Sequence, residues 1–208
     1  MLDRTIERLR EEYFDFLPEI RRVALKMETE IRYLTLRTSL SLADYERLLV
    51  KSRVKDCESA IKSLRRHQEG GTFDPERPDD YSILNLPDLA GVRVLVFPRG
   101  KLDEVDNALR TSFPDWISDP VLSSGNTVLA RTYSGYCRDL SGKVRAEYQV
   151  VPMLIGLFWE VEHSAMYKPP PPLKGKADSE PMQMLRKDVE DVLLRFETEF
   201  ESFIRDGA

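Results

Sequence analysis

Cysteine and histidine are nearly missing from this sequence: 208 residues hold only Cys57, Cys137, His67 and His163. Two widely spaced cysteines cannot build the disulfide framework of a small secreted domain, and no Cys/His spacing suits a zinc site, so the chain reads as a reduced, cytoplasmic protein. Long apolar runs are missing too. No stretch approaches the ~18 residues that a membrane-spanning helix needs, and Met1, Leu2, Asp3 and Arg4 lack the apolar core of a secretion signal, so no membrane partner is expected. Nor is there a basic excess. The net charge of −5 argues against a general nucleic-acid binder, although a local basic pocket remains compatible with it. What is present, 41% hydrophobic and 32% charged residues, suits one globular domain with a substantial core.

Residues 2–37 have a helical pattern interrupted at Leu17 and Pro18, where the proline either starts a second helix or kinks the first. Ile20, Val23, Met27, Ile31 and Leu34 recur at spacings of three and four and form one apolar stripe. Residues 45–55 turn strand-like, and Asp56 then stands as the N-cap of a helix that runs through Arg66. Such a strand-to-helix junction offers backbone amides and a positive dipole end to phosphate, and Arg53, Lys55 and Lys62 cluster around it. Residues 68–81, with Gly70, Gly71, Pro75 and Pro78, read as a loop. An amphipathic helix over 101–113 and short strands over 120–122 and 127–132 follow, after which Tyr136 succeeds Gly135 at what reads as a turn.

The chain is organised around Val92, Val94, Leu95, Val96 and Phe97, a buried strand in pattern and the expected central one, with Asp88, Gly91 and Arg93 at its start. A second strand over 144–151 alternates Arg145, Glu147 and Gln149 on one face with Val144, Ala146, Tyr148 and Val150 on the other. Pro152 opens a further helix, predicted to reach Lys168, with Glu160, His163 and Tyr167 near one another on its surface. Four consecutive prolines from Pro169 then read as a stiff polyproline II spacer. A final helix over 180–205 carries Leu185, Val189, Val192, Leu193, Phe196, Phe200 and Phe203, a stripe to be buried against the domain or against another copy of the chain.

Four blocks in this order resemble the nucleotidyltransferase domain of the RelA/SpoT family of alarmone synthetases: Arg53 and Lys55 with Ser59; Asp88, Gly91 and Arg93; Gly135 and Tyr136; and Glu147, Tyr148 and Gln149 leading to His163 and Tyr167. The resemblance spans residues 40 to 168. It implies an α+β fold, a mixed β-sheet flanked by helices, with N-terminal helices over 1–40, the nucleotidyltransferase domain over 41–168 and a proline-rich linker with a long C-terminal helix over 169–208. It also implies an ATP site in which Arg53 and Arg93 stack on adenine while Lys55, Ser59 and Lys62 meet phosphates. In the family a tyrosine at the place of Tyr136 stacks on the guanine of GDP or GTP; Gln149, His163, Arg131 and Arg138 are the further acceptor-binding candidates. The chain departs from the family pattern in three places. Ser63 stands where a second lysine is usual, with Lys62 beside it. Thr132, Ser134, Cys137, Arg138 and Leu140 replace lysine, asparagine, arginine, serine and histidine around Gly135 and Tyr136, and Val151 and Pro152 replace arginine and threonine.

Under this resemblance Asp88 and Glu147 form a hard-oxygen site for Mg²⁺. The implied reaction moves the β,γ-pyrophosphate of ATP to the ribose 3′-hydroxyl of GDP or GTP, making (p)ppGpp, with Glu147 orienting or deprotonating the hydroxyl. Hydrolase activity is not expected, because in this family it needs a separate histidine/aspartate metal domain. Two other readings compete: the same chemistry on an adenine nucleotide or a tRNA 3′ end, where the basic Lys174 and Lys176 would meet RNA phosphate, and a non-catalytic nucleotide-binding module acting through its C-terminal helix. A homo-oligomer through that helix is a further expectation.

Overall fold

The computed structural model describes residues 4–68, 71–74, 76–122, 128–138, 140, 142–162 and 179–207. Helix α1, Arg4–Leu34, passes through Pro18 as one element and is followed by the short α2, Leu36–Leu40. Of the two sequence alternatives at the proline, a second helix is therefore not the one adopted. Strand β1, Arg47–Val54, leads into α3, Cys57–Arg66, and β2, Ala90–Phe97, into α4, Leu102–Ser112. The short strands β3, Ile117–Ser118, and β4, Val121–Leu122, precede β5, Val128–Tyr136, and β6, Arg145–Pro152, which runs straight into α5, Met153–Glu162. The long α6, Glu180–Gly207, closes the chain. No described helix is long and apolar enough to cross a membrane.

The sheet runs β1-β2-β6-β5-β3, with β4 also pairing β5. Only β2 and β6 are parallel; β1 with β2, β5 with β6 and β3 with β5 are antiparallel, which makes the sheet mixed and the architecture α+β as expected. β2 is interior, but β6 holds the middle place.

Register assigns the faces. Directly paired residues share a face, so Tyr133 and Tyr148 lie together, and their rings stack at 4.8 Å between centroids. This face also carries Val50, Val92, Val94, Val96, Ala146 and Val150, and it packs into one core with Leu9, Ile20, Val23, Met27 and Ile31 of α1, Ala60 and Leu64 of α3, and Val105 and Leu109 of α4. The stripe read from α1 is thus the one it buries. On the opposite face Leu95, Ala130, Val151 and Ile155 make a smaller cluster with Trp159, Leu193 and Leu194, beneath α5 and α6. The stripe of α6 is divided. Leu193 and Phe200 pack on the domain, Phe200 lying 5.2 Å from Phe97 between ring centroids, while Leu185, Val192, Phe196 and Phe203 stay exposed.

The turn expected at Gly135 and Tyr136 is strand instead: β5 continues until Tyr136 stands opposite Arg145. Trp116 explains why glycine suits this edge, since a Cβ at Gly135 would sit 2.7 Å from its Cδ1, and the indole is hemmed in by Phe113 and Tyr148. Gly135→Ala is expected to destabilise the domain by about 1–3 kcal/mol, the usual cost of overpacking a filled core, measured by urea unfolding. An unchanged midpoint would show that the indole moves aside freely.

Candidate active site

The face of β6 that carries Arg145, Glu147 and Gln149 is continued on its neighbours by register. Gly91 and Arg93 of β2 stand beside Glu147 and Gln149, and Arg53 and Lys51 of β1 stand beside Gly91 and Arg93. Across β5 the same face holds Thr132, Ser134 and Tyr136. The apolar cluster under α5 and α6 occupies this face around Leu95 and Val151, and the polar residues lie beside it.

Asp88 ends the segment that enters β2, where the Lys55 N–H donates to the Leu89 carbonyl (2.9 Å) and ties that segment to the end of β1. Lys55 Nζ lies 2.5 Å from Asp88 Oδ2. The Arg53 guanidinium reaches both acids, Nη2 being 3.6 Å from Asp88 Oδ2 and 3.8 Å from Glu147 Oε1. It does so by crossing Gly91, where a Cβ would come within 3.2 Å of Arg53 Nε. The glycine between Asp88 and Arg93 therefore has a specific use: it lets a guanidinium lie over the strand. Gln149 Nε2 donates to Glu147 Oε1 (2.9 Å), and Arg93 Nε donates to Gln149 Oε1 (3.1 Å), so the amide is oriented from both sides. Burial pushes the Glu147 carboxyl up to about 7; Arg53 opposes this, the Asp88 charge adds to it, and Lys55 and Arg93 oppose it further. Burial also lowers the pKa of Arg93, and the nearby Arg53 charge lowers it further.

The remaining nucleotide candidates are arranged differently. Asp56 caps α3 as expected, but its carboxylate takes both the Ser59 N–H (3.0 Å) and the Ser59 hydroxyl (2.9 Å), so Ser59 is engaged within the cap. Lys62 lies one turn further along α3 and is exposed. Tyr136 is half exposed and lines a cleft of about 510 Å³ with Trp116, Ser134, Arg138 and Arg145. Arg138 pairs there with Asp115 at 3.4 Å. Arg131 is a correction to the acceptor set. It belongs to the opposite face, where α4 holds it through Asp106 (3.1 Å) and Asp103, because it stands an odd number of residues from Tyr136 along one strand. His163, Tyr167, Lys174 and Lys176 lie outside the described residues.

Two contributors were not read from the sequence. Lys51, two residues before Arg53 on the same face, pairs with Glu160 of α5 at 2.7 Å. Trp159, the residue before Glu160, sets its ring 6.0 Å from Arg93 Cζ. The two-residue period of β1 was a signal for the first; the second depends on how α5 is rotated on the sheet.

Among the described residues no three His, Cys, Asp or Glu side chains gather as a metal cluster. Two carboxylates held beside one another fit Mg²⁺, which takes one or two protein carboxylates and completes its shell with water and substrate phosphate. They fit zinc poorly.

The arrangement of helices and mixed sheet recurs in solved structures. The small alarmone synthetase 1 from Bacillus subtilis superposes with a TM-score of 0.69, over 94% of this chain and 97% of that one, at 18% identity. The chain has the small alarmone synthetase fold. The same synthetase bound to its product pppGpp gives a TM-score of 0.66 at 16% identity, over 94% of this chain and 98% of that one. A GTP pyrophosphokinase family protein from Streptococcus pneumoniae gives 0.61 at 19% identity, over 94% and 93%. Neither a protein-family model nor a curated protein sequence matches the chain.

Proposed function

We propose that the chain is a pyrophosphotransferase that moves the β,γ-pyrophosphate of ATP to the ribose 3′-hydroxyl of a guanine nucleotide, GDP or GTP, giving (p)ppGpp. The observation that carries this reading is the meeting of Asp88 and Glu147 around the Arg53 guanidinium, with Lys55 on Asp88. Cations and acids of this kind, brought together where β1, β2 and β6 meet, suit a polyphosphate that arrives with its own divalent ion. Arg53, Lys55 and Arg93 are the donor-binding groups; Ser59 and Lys62 serve phosphate from α3, Ser59 after releasing its hydroxyl from Asp56. Asp88 and Glu147 would hold Mg²⁺, which when bound neutralises charge on the transferring phosphates.

The reaction balances as an in-line displacement. The acceptor hydroxyl oxygen forms a bond to the β-phosphorus, the bond from that phosphorus to the α,β-bridging oxygen breaks, and AMP departs with that oxygen. The hydroxyl proton goes to Glu147. A carboxyl whose burial raises it to about 7 accepts a proton more readily than an exposed one, and Gln149 keeps it aimed. Tyr136, half exposed on the same face as Glu147, offers its ring to the acceptor base.

One observation favours a different acceptor for the same chemistry. Cys137 is buried and Arg138 pairs with Asp115, so the positions around Tyr136 supply less free charge than the arginine and lysine of the family pattern. An adenine nucleotide or a tRNA 3′ end then takes the place of the guanine nucleotide. Incubation with β-labelled ATP, Mg²⁺ and, separately, GDP, GTP, ATP or deacylated tRNA distinguishes these readings. Label on GDP or GTP with AMP released is the expected result. Label on RNA alone overturns the guanine assignment, and no transfer to any acceptor leaves a nucleotide-binding module.

A further inference from the structure

Arg93, proposed above to meet adenine, is held from two sides. Gln149 accepts from its Nε, and the Trp159 ring of α5 lies 6.0 Å from its Cζ, at cation–π range. Trp159 is itself oriented from the C-terminal helix: its indole Nε1 donates to Glu190 Oε1 of α6 (2.9 Å). A second polar link, between Glu162 of α5 and Arg186 of α6, lies one helical turn away on both helices. Below Trp159, α5 can approach the sheet closely because Gly156 sits directly on Leu95, and Ile155 and Leu193 fill the space around them. Arg93 and Leu95 share this face of β2, so the ring bridges the apolar cluster and the polar site.

From this chain of contacts we infer that Trp159 is a positioning residue of the ATP donor site, setting the plane of the Arg93 guanidinium, and that Glu190 couples donor affinity to the docking of α6. The inference rests on the donor-site reading of Arg93. An indole fixed at its N–H cannot turn about its ring, so the guanidinium above it keeps one flat face for a base. Loosening α6 frees the indole. Arg93 then regains rotamers that nucleotide binding must remove, and affinity falls without loss of any direct contact.

The test is equilibrium binding of the non-hydrolysable α,β-methylene analogue of ATP, with Mg²⁺, to the full chain, alongside ¹⁹F spectra of protein labelled with 5-fluorotryptophan. The two resonances, from Trp116 and Trp159, are assigned by the one that Trp159→Phe removes. Saturation with the analogue is expected to shift the Trp159 resonance. Trp159→Ala is expected to weaken analogue binding about tenfold while leaving GDP binding unchanged. Glu190→Leu weakens it by a smaller factor and moves the Trp159 resonance in the free protein. Glu190→Gln, whose amide oxygen can accept the same N–H, restores both. Equal weakening of analogue and GDP binding by Trp159→Ala would mean a general structural loss and overturn the inference, as would a Trp159→Ala chain that binds the analogue like the wild type. Glu190→Gln behaving like Glu190→Leu would remove the coupling to α6. A wild-type chain that binds no adenine nucleotide refutes the donor-site reading and this inference together, whereas wild-type binding with an indifferent Trp159 refutes the inference alone.

Discussion

Glu147→Gln is expected to lower pyrophosphate transfer by roughly 10²–10⁴-fold, and Asp88→Asn by a similar factor, with the sheet intact in both. The two losses have different causes. A glutamine at 147 retains an oxygen for the Gln149 amide (2.9 Å in the wild type) but can no longer accept the acceptor proton. An asparagine at 88 removes the charge that Lys55 approaches at 2.5 Å and that Arg53 shares with Glu147, so both cations lose their anchor. Steady-state transfer of label from β-labelled ATP checks the rate, and circular dichroism with urea unfolding checks the fold. Stability separates the variants further. Glu147 is mostly buried and raised to about 7, so an uncharged glutamine there relieves a desolvated carboxylate at alkaline pH, and Glu147→Gln is expected to unfold no more easily than the wild type. Retention of more than about a tenth of the wild-type rate by Glu147→Gln would place the proton acceptor elsewhere.

The convergence of Asp88 and Glu147 was legible because each lies where a short-range rule acts. Glu147 alternates with Ala146 and Tyr148, so the apolar partners assign it to the outer face, and Asp88 stands two residues before the apolar strand β2. The Asp56 cap was legible for the same reason: an N-cap is decided within four residues. Arg131 lies on the face opposite to the one expected because β5 continues past residue 132 to Tyr136. Its face can only be counted relative to Tyr136 if one unbroken strand joins them, and Gly135, which reads locally as a turn, stays in the strand to make room for Trp116, a contact remote in sequence. Trp159 belongs to the same class. A single apolar residue on a helix reads as core, and its place beside Arg93 follows from Gly156 seating α5 on Leu95, which no local pattern encodes. The C-terminal helix is apolar on one side as its pattern suggests, yet the side chain it buries most fully is an acid.

That acid is Glu197, fully buried where α6 crosses the start of α5. Its Oε1 accepts the Leu154 N–H (3.3 Å), one of the donors that a helix N-terminus leaves open, while Oε2 has no hydrogen-bond partner among the described residues. Burial pushes the carboxyl up to about 7; the Leu154 hydrogen bond opposes this, the Glu201 charge on the same helix adds to it, and Arg99 opposes it weakly. The folded pKa thus lies above the ordinary 4.5, so between the two values the folded chain holds a proton that the unfolded chain has released. Stability from this group is full below the unfolded value and is lost as pH rises through about 7. Glu197→Gln keeps an oxygen for Leu154 and never ionises. It is expected to match the wild type near about pH 5 and to be more stable by about 1–3 kcal/mol near about pH 8, read from urea unfolding at both values and from hydrogen exchange of α6 amides. Glu147 titrates in the same direction, and comparing the variant with the wild type at each pH cancels its contribution. A gain of equal size at both values would show that packing rather than charge sets the effect, and a variant less stable at both would show that the ionised carboxylate is needed to hold α6 on α5.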